Sequence, residues 1–513
     1  MLYLGIDSST QGVKGIVIDP AAGRIVAEAA VNYGKDLKRY NAPNGYVENA
    51  DPAVKEANPL MWVDGLELLL QRLVDSGVPM ERIGAISGAG QQHGSVYLRA
   101  GSADIFSKLV PEKSLSEQIS GTLARELSPI WMDRSTVEEC RVLTGRFGPA
   151  IQQLTGSMAT ERFTGPQIRR FWKNHPEAYN NTAQIHLVSS FICALLTGGR
   201  AAVDTGDGAG MNLLNLKTLE FDPEISEFTA PGLPEKLPEL LPGNQIAGKL
   251  PEYFAKYGLR AGIPVIVFSG DNPSSLIGSG CSQPGVVGIS LGTSDTLFAP
   301  MREFELDPAG YGHIMGNPAG GFMSLICFSN GSLARDAMRE SLALSWNAFD
   351  AVAAAAPAAA GNLMLPYYQL ESTPLVLKPH VEYNFDIKHV EPGVAARALL
   401  ESQALSMKLH TAYLKDPVRK IRLSGGASAC KAFRQILADV FQVELEIISV
   451  SDSSGLGAAL RAAAGDGWQL EELYRKFCAA QAVILPQPEN RSKYEKMLQQ
   501  YADMEKAFSA SEG

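Results

Sequence analysis

One pattern occurs twice in this chain and restricts its fold more than any other feature. Leu2-Tyr3-Leu4-Gly5-Ile6 and Val13-Lys14-Gly15-Ile16-Val17-Ile18-Asp19 are β-rich runs around Asp7-Ser8-Ser9-Thr10-Gln11-Gly12. They read as a β-hairpin that starts a sheet. Gly288 to Phe298 repeats the plan, with Gly5, Ile6 and Thr10 falling against Gly288, Ile289 and Thr293 without a gap. A strand–turn–strand unit near the start of each half predicts two related domains. At 513 residues the chain is also too long for one ordinary core. We place the division just before Val265, giving domains 1–264 and 265–513.

Between and after the hairpins, β-rich runs alternate with helical ones. Arg82 to Gly90 reads as a strand entering a Gly-rich turn, and Pro264 to Ser269 as a short buried strand. Helical spacing is found over Leu115–Leu127, Thr136–Thr144, Gly165–Asn174 and Val394–Leu414. Ile421–Ser424 reads as a strand into Gly425-Gly426-Ala427-Ser428, followed by a helix from Cys430 to Phe441. Ser454-Gly455-Leu456-Gly457-Ala458-Ala459 opens a further helix whose small residues permit close packing. The alternation predicts α/β architecture throughout.

The formal net charge is −10, and no run of Lys and Arg is long enough to track a phosphate backbone. Nucleic acid is therefore not an expected partner. No stretch reaches the ~18 apolar residues of a membrane span, and Asp7 interrupts the apolar run a signal peptide would need. The six cysteines stand far apart, without C-x-x-C or a Cys/His cluster. The expectation is a cytoplasmic protein, monomer or homodimer, with no membrane partner and small-molecule ligands.

Neither G-x-x-x-x-G-K-[ST] nor G-x-G-x-x-G is present, which disfavours a P-loop enzyme or a nicotinamide dehydrogenase. The two Ser/Thr/Gly turns offer another device. Their exposed N–H groups form concave anion sites, and facing each other across a cleft they would grip a polyphosphate. Lys14 adds a local cation.

At this point the motifs resemble a known family. Leu4-Gly5-Ile6-Asp7-x-x-Thr10 and Ser290-Leu291-Gly292-Thr293-Ser294 are similar to the two phosphate motifs of the sugar kinase, actin and chaperone ATPase superfamily. Leu423-Ser424-Gly425-Gly426-Ala427-Ser428 is similar to its adenosine motif. Gly88 to Gly94, Pro129 to Ser135 and Gly270-Asp271-Asn272-Pro273 narrow the resemblance to the FGGY carbohydrate kinases, and within them to the xylulose kinase branch, as does Glu161-Arg162-Phe163-Thr164-Gly165. The resemblance runs in order along nearly the whole chain. It implies two actin-like (ribonuclease H-like) ATPase domains around a hinged cleft, with ATP and Mg²⁺ as cofactors. The implied reaction is phosphorylation of a ketopentose, D-xylulose to D-xylulose 5-phosphate. The rival readings are a sibling kinase for another pentulose, pentitol or polyol, and a non-catalytic nucleotide switch on the same fold.

Site residues follow motif by motif. Asp271 is the implied base, because phosphorylating an alcohol needs a carboxylate to accept the hydroxyl proton. A helix-capping Asp is the competing reading. Asp7 is the implied Mg²⁺ residue, acting through water, with an Asx-turn as its alternative. Gln92, His93, Trp131, Arg162, Asp271 and Asn272 are the sugar candidates, since forked or bifunctional side chains suit hydroxyls. Thr10, Gln11, Lys14, Gly292, Thr293 and Ser294 are the phosphate candidates. Trp346, Gly425, Gly426, Ala427 and Cys430 are the adenosine candidates, Cys430 standing where the animal-type motif has Asn. Asp133 and Asp207 lie in family-like stretches that serve structure equally well. Leu365 to Pro374 departs from the bacterial pattern, and no site residue is assigned there.

Overall fold

The computed structural model describes every residue except Arg200, Ser451 and Gly513, and the backbone alone at 510–512. The first hairpin forms as expected. β1 (Leu2–Ser8) pairs antiparallel with β2 (Gly12–Asp19), and β2 with β3 (Arg24–Asn32). β1 is buried along its whole length, in keeping with its apolar sequence and central place. On its other side it runs parallel to β4 (Ile83–Gly90). Next come β5 (Ile246–Lys249), β6 (Pro264–Ile266) and β7 (Ser269–Gly270), completing a seven-stranded sheet in the order β5-β6-β4-β1-β2-β3, with β7 also paired to β4. Helix α1 (Pro59–Asp75) packs on β2 and β3. Asn58 caps it by accepting from the Leu60 N–H, Pro59 starts it, and Met61, Trp62, Leu66, Leu69, Leu70 and Leu73 are its buried face.

The second sheet repeats this plan. It comprises β8 (Val286–Leu291), β9 (Asp295–Met301), β10 (His313–Gly316), β11 (Phe322–Phe328), β12 (Lys420–Ser424), β13 (Glu444–Ile448) and β14 (Ala480–Ile484). Their order is β10-β11-β9-β8-β12-β13-β14. In both sheets a hairpin carries a third antiparallel strand on one side, and two parallel strands with an antiparallel edge strand on the other. β10, paired antiparallel beyond β11, has no counterpart in the first sheet.

Two helices cross where the halves meet. α4, numbered after α2 (Thr164–Asn174) and α3 (Val188–Thr197), spans Asp271–Gly278, and α9 spans Ser453–Gly465. Between them lie α5 (Ser332–Ser341), α6 (Trp346–Ala355), α7 (Pro392–Leu409) and α8 (Lys431–Phe441). A β-carbon on Gly278 would lie 1.8 Å from the Ser453 carbonyl oxygen, and one on Gly457 would lie 1.9 Å from that of Ser274. The helices therefore touch backbone to backbone. α9 also lies on β1, where a β-carbon on Gly5 would meet the Ala459 nitrogen at 2.3 Å.

Three expectations change. Pro264–Ser269 forms two short strands, β6 and β7, interrupted at Val267 and Phe268, and both join the first sheet, so a boundary before Val265 would cut that sheet, and the chain leaves it after Gly270. The helix expected over Leu115–Leu127 ends at Ile119 and tightens to a 3₁₀ turn over Ser120–Thr122, because Ser120-Gly121-Thr122 holds a helix poorly. The long helix expected to Leu414 stops at Leu409.

Candidate active site

Parallel neighbours deliver residues to one end of a sheet. In the first half, Ser8 is level with Gly90 and Gly90 with Gly270. Asp7, the stretch Gln91-Gln92-His93 and Asp271 therefore emerge side by side from the carboxyl ends of β1, β4 and β7. In the second half Ser290 is level with Ser424, which sets Gly292-Thr293-Ser294 beside Gly425-Gly426-Ala427. The two ends approach each other, since Lys14 on β2 pairs with Asp452, the N-cap of α9, at 3.5 Å.

Asp7 is buried and its Oδ1 has no hydrogen-bond partner. Burial, then the carboxylates of Asp452 and Asp271, push its carboxyl well above the usual range, opposed in part by Lys14. Such a crowd of negative charge is unfavourable on its own and is relieved by a cation. Among the described residues no three Asp, Glu, His or Cys side chains converge closely enough to bind a metal directly. Asp271 opens α4 as its first residue, after the N-cap Gly270. Its Oδ1 accepts from the N–H and side-chain amide of Asn272, at 2.8 and 3.2 Å, so Asp271 is not the N-cap of α4 although it meets one N–H of its first turn. Burial raises its pKa to about 6.

The sugar-side candidates cluster. Asn272 donates to Gln92 Oε1 at 2.8 Å, and the Gln92 amide donates to the Met315 sulfur at 3.5 Å. His93 is held at φ 70°, in the left-handed region, with Nδ1 3.0 Å from the Gly210 carbonyl and its ring stacked on Phe163 at 4.4 Å. Burial, then the positive charge of Arg162, keep it neutral, well below the ordinary histidine range. The Arg162 guanidinium lies over Phe163 and 3.2 Å from His313 Nε2. The Trp131 indole N–H donates to Thr10 Oγ1 at 2.8 Å, and Thr10 donates to Gln91 Oε1 at 3.3 Å. The Trp131 ring stays exposed. Asp207 is fully buried near Asp271, with Ser189 donating to Oδ2 and Oδ1 unpartnered. Asp133 is a structural hub that accepts from the Lys55 and Ser135 N–H groups and from Gln167.

On the side of the nucleotide candidates, the Gly292-Thr293-Ser294 turn rests on a buried ion pair. Asp295 takes both Arg335 Nη atoms at 2.7 and 2.8 Å and accepts the Gly292 N–H. Gly425, at φ 89°, lets the Gly425-Gly426-Ala427 loop pass so close that a β-carbon would meet the Leu291 carbonyl oxygen at 2.3 Å. Around Gly426 the space is open. Trp346, first residue of α6, is half exposed, with the Arg339 guanidinium 5.1 Å from its ring. Gln11 is exposed and its carbonyl accepts from Tyr33. The Cys430 thiol, pushed up to about 12 chiefly by burial, donates to Asp350, which also accepts the Lys431 and Ala432 N–H groups at the start of α8. Cys430 thus shares Asp350 with the N-terminus of α8.

The sequence reading missed three neighbours: Asp452, His313 and Met315. Each lies far along the chain from the residue it meets and in no recognisable motif, so no local signal marks it.

The profile of the FGGY family of carbohydrate kinases, N-terminal domain, matches residues 2–278, and that of the C-terminal domain matches 287–465. The chain belongs to the FGGY family of carbohydrate kinases. This FGGY kinase is 38% identical to the xylulose kinase of Rattus norvegicus, over 98% of its own length and 96% of that protein's. Its fold is that of the xylulose kinase of Rhodospirillum rubrum, with a TM-score of 0.85, 21% identity and 99% of each chain covered. The glycerol kinase of Plasmodium falciparum matches with a TM-score of 0.81 and 17% identity over 98% of each chain. An FGGY kinase fold is therefore shared by proteins named for different substrates, and fold alone does not choose among them.

Proposed function

We propose that this kinase transfers the γ-phosphoryl group of ATP to D-xylulose, giving D-xylulose 5-phosphate. One observation carries the reading: a half-buried carboxylate with a raised pKa, Asp271, stands beside Asn272, Gln92 and Asp7 in a chain related along its whole length to a xylulose kinase. Asp271 accepts the proton of the sugar hydroxyl, whose oxygen then bonds to the γ-phosphorus as the bond to ADP breaks. A base with a pKa near 6 is ionised at neutral pH yet basic enough to take that proton. His93, Arg162, Gln92 and Asn272 hold the sugar hydroxyls, and Trp131 lines the entrance. The turns Thr10-Gln11 and Gly292-Thr293-Ser294 supply N–H and hydroxyl donors for the phosphates. Lys14 leaves Asp452 to meet phosphate when ATP enters. Trp346 and the backbone of Gly425, Gly426 and Ala427 flank adenosine.

Asp7 fits a water-bound Mg²⁺, since its buried Oδ1 is orphaned and two other carboxylates act on it. Bound with ATP, the ion would neutralise phosphate charge. The six cysteines are all free, which suits a cytoplasmic enzyme.

The test is ADP release across a panel of pentuloses, pentitols and glycerol, with and without Mg²⁺. Turnover is expected to require Mg²⁺ and to be best with D-xylulose. Preference for another pentulose or a pentitol would move the substrate, and ADP binding without turnover on any sugar would favour the nucleotide-switch reading.

A further inference from the structure

Strand β10 is where the repeat of the two halves breaks, and it borders the sugar-side candidates. His313 and Met315, two residues apart, project from the same face of a strand. His313 reaches Arg162, and Met315 reaches Gln92. The intervening Ile314 N–H donates to the Gly156 carbonyl at 3.1 Å, so the strand is also tied by its backbone to the other half.

The His313 contacts define its protonation. Arg162 donates to Nε2, so Nε2 carries no proton. The proton therefore sits on Nδ1, 3.1 Å from the Ser157 hydroxyl oxygen. Burial, then the charge of Arg162, depress the His313 pKa to about 3, so the ring stays neutral. Arg162 is itself desolvated, and among the described residues it makes no ion pair with a carboxylate. A carboxylate partner would hold the guanidinium but occupy its donors and charge. A neutral imidazole takes a single N–H and leaves the rest of the fork for a ligand. Phe163 completes the arrangement, with Arg162 over its ring and the His93 and His313 rings 4.4 and 5.5 Å from it.

The geometry points to His313 as a positioning residue of the sugar site, supplied by the C-terminal half, that aims Arg162 at the sugar through Nε2. The inference rests on the proposed sugar kinase reading. It assigns the site to both halves of the chain, so that the strand without a repeat counterpart is the one that completes it.

The test uses the full-length enzyme and the best substrate of the panel. His313→Ala is expected to raise the sugar KM about tenfold, the scale of one hydrogen bond to a charged group, while leaving the ATP KM within about twofold. His313→Gln, which keeps an acceptor, should recover most of that loss. His313→Leu, which fills the space without an acceptor, should not, and it serves if the alanine variant folds poorly. In an Arg162→Ala background, His313→Ala should add less than about twofold, because the two residues act as one unit. An unchanged sugar KM in a folded His313→Ala or His313→Leu protein would overturn the inference while leaving the kinase reading intact. So would an equal effect with and without Arg162. A parent enzyme inert on every sugar would overturn both.

Discussion

Two carboxylates at this site, Asp271 and Asp7, have surroundings that give them different work. Asp271 carries a pKa raised to about 6, whereas Asp7 is pushed well above the usual carboxylate range by burial and then by two carboxylate neighbours. Asp271→Asn keeps shape and hydrogen bonding but cannot accept a proton. Turnover of that variant should fall by roughly 10²–10⁴-fold, with sugar binding retained. The pH profile gives an independent reading. A base titrating near 6 is lost as pH falls through that value, so kcat/KM of the parent should drop about tenfold per unit below it. The variant's residual activity should lack that limb. Near-normal turnover in Asp271→Asn, or an acid limb that survives in it, would remove Asp271 as the base. Asp271 was legible in the sequence because the apolar run before it ends in Gly270, and a strand end is where a sheet delivers chemistry. Asp452 was not, because its relation to Asp7 and Lys14 joins residues more than four hundred positions apart.

Elements were legible where their cause is local. Each of the two hairpins was readable from β-rich runs around a Ser/Thr/Gly turn, and both turns formed between the expected strands. Strand Pro264–Ile266 was also visible, but its membership in the first sheet was not, since pairing with β4 joins Val265 to Ile86, far earlier in the chain. The crossing of α4 and α9 was half legible: Gly455, Gly457 and Ala459 announced close packing but not its partner. That crossing makes a sharp prediction. Gly457→Ala places a methyl against a backbone oxygen that no rotamer change can move, so the helices must part, at a cost of about 1–3 kcal/mol. Gly426→Ala meets nothing within 4 Å and should leave stability nearly unchanged. Urea unfolding of the two variants side by side checks this, and equal midpoints would mean that the crossing absorbs the methyl.

At the scale of the whole molecule, the repeat explains why a cleft exists and the break in the repeat explains how it is furnished. Two sheets of one plan present their carboxyl ends to each other, and the ties between them include the α4–α9 crossing, the Lys14–Asp452 pair and the contact of β10 with the sugar-side residues. The first is backbone against backbone and cannot stretch. The second has a lysine that is 48% exposed and is held by one ion pair, so incoming phosphate can replace it. Movement between the halves is therefore expected to pivot on the crossing and to narrow the cleft at the phosphate turns. Sugar alone fills one side and should stabilise the protein without closing it. Sugar together with Mg²⁺ and a non-hydrolysable ATP analogue should do both. At 100-fold excess over Kd, each ligand that binds only the folded state adds about 2.7 kcal/mol of stability, which a thermal melt detects. Small-angle scattering should then show a smaller radius of gyration for the ternary complex than for the free or sugar-bound protein. If melts show both ligands bound while the radius stays constant, the cleft is already closed in the free enzyme, and the Lys14–Asp452 pair belongs to the working arrangement instead of giving way to phosphate.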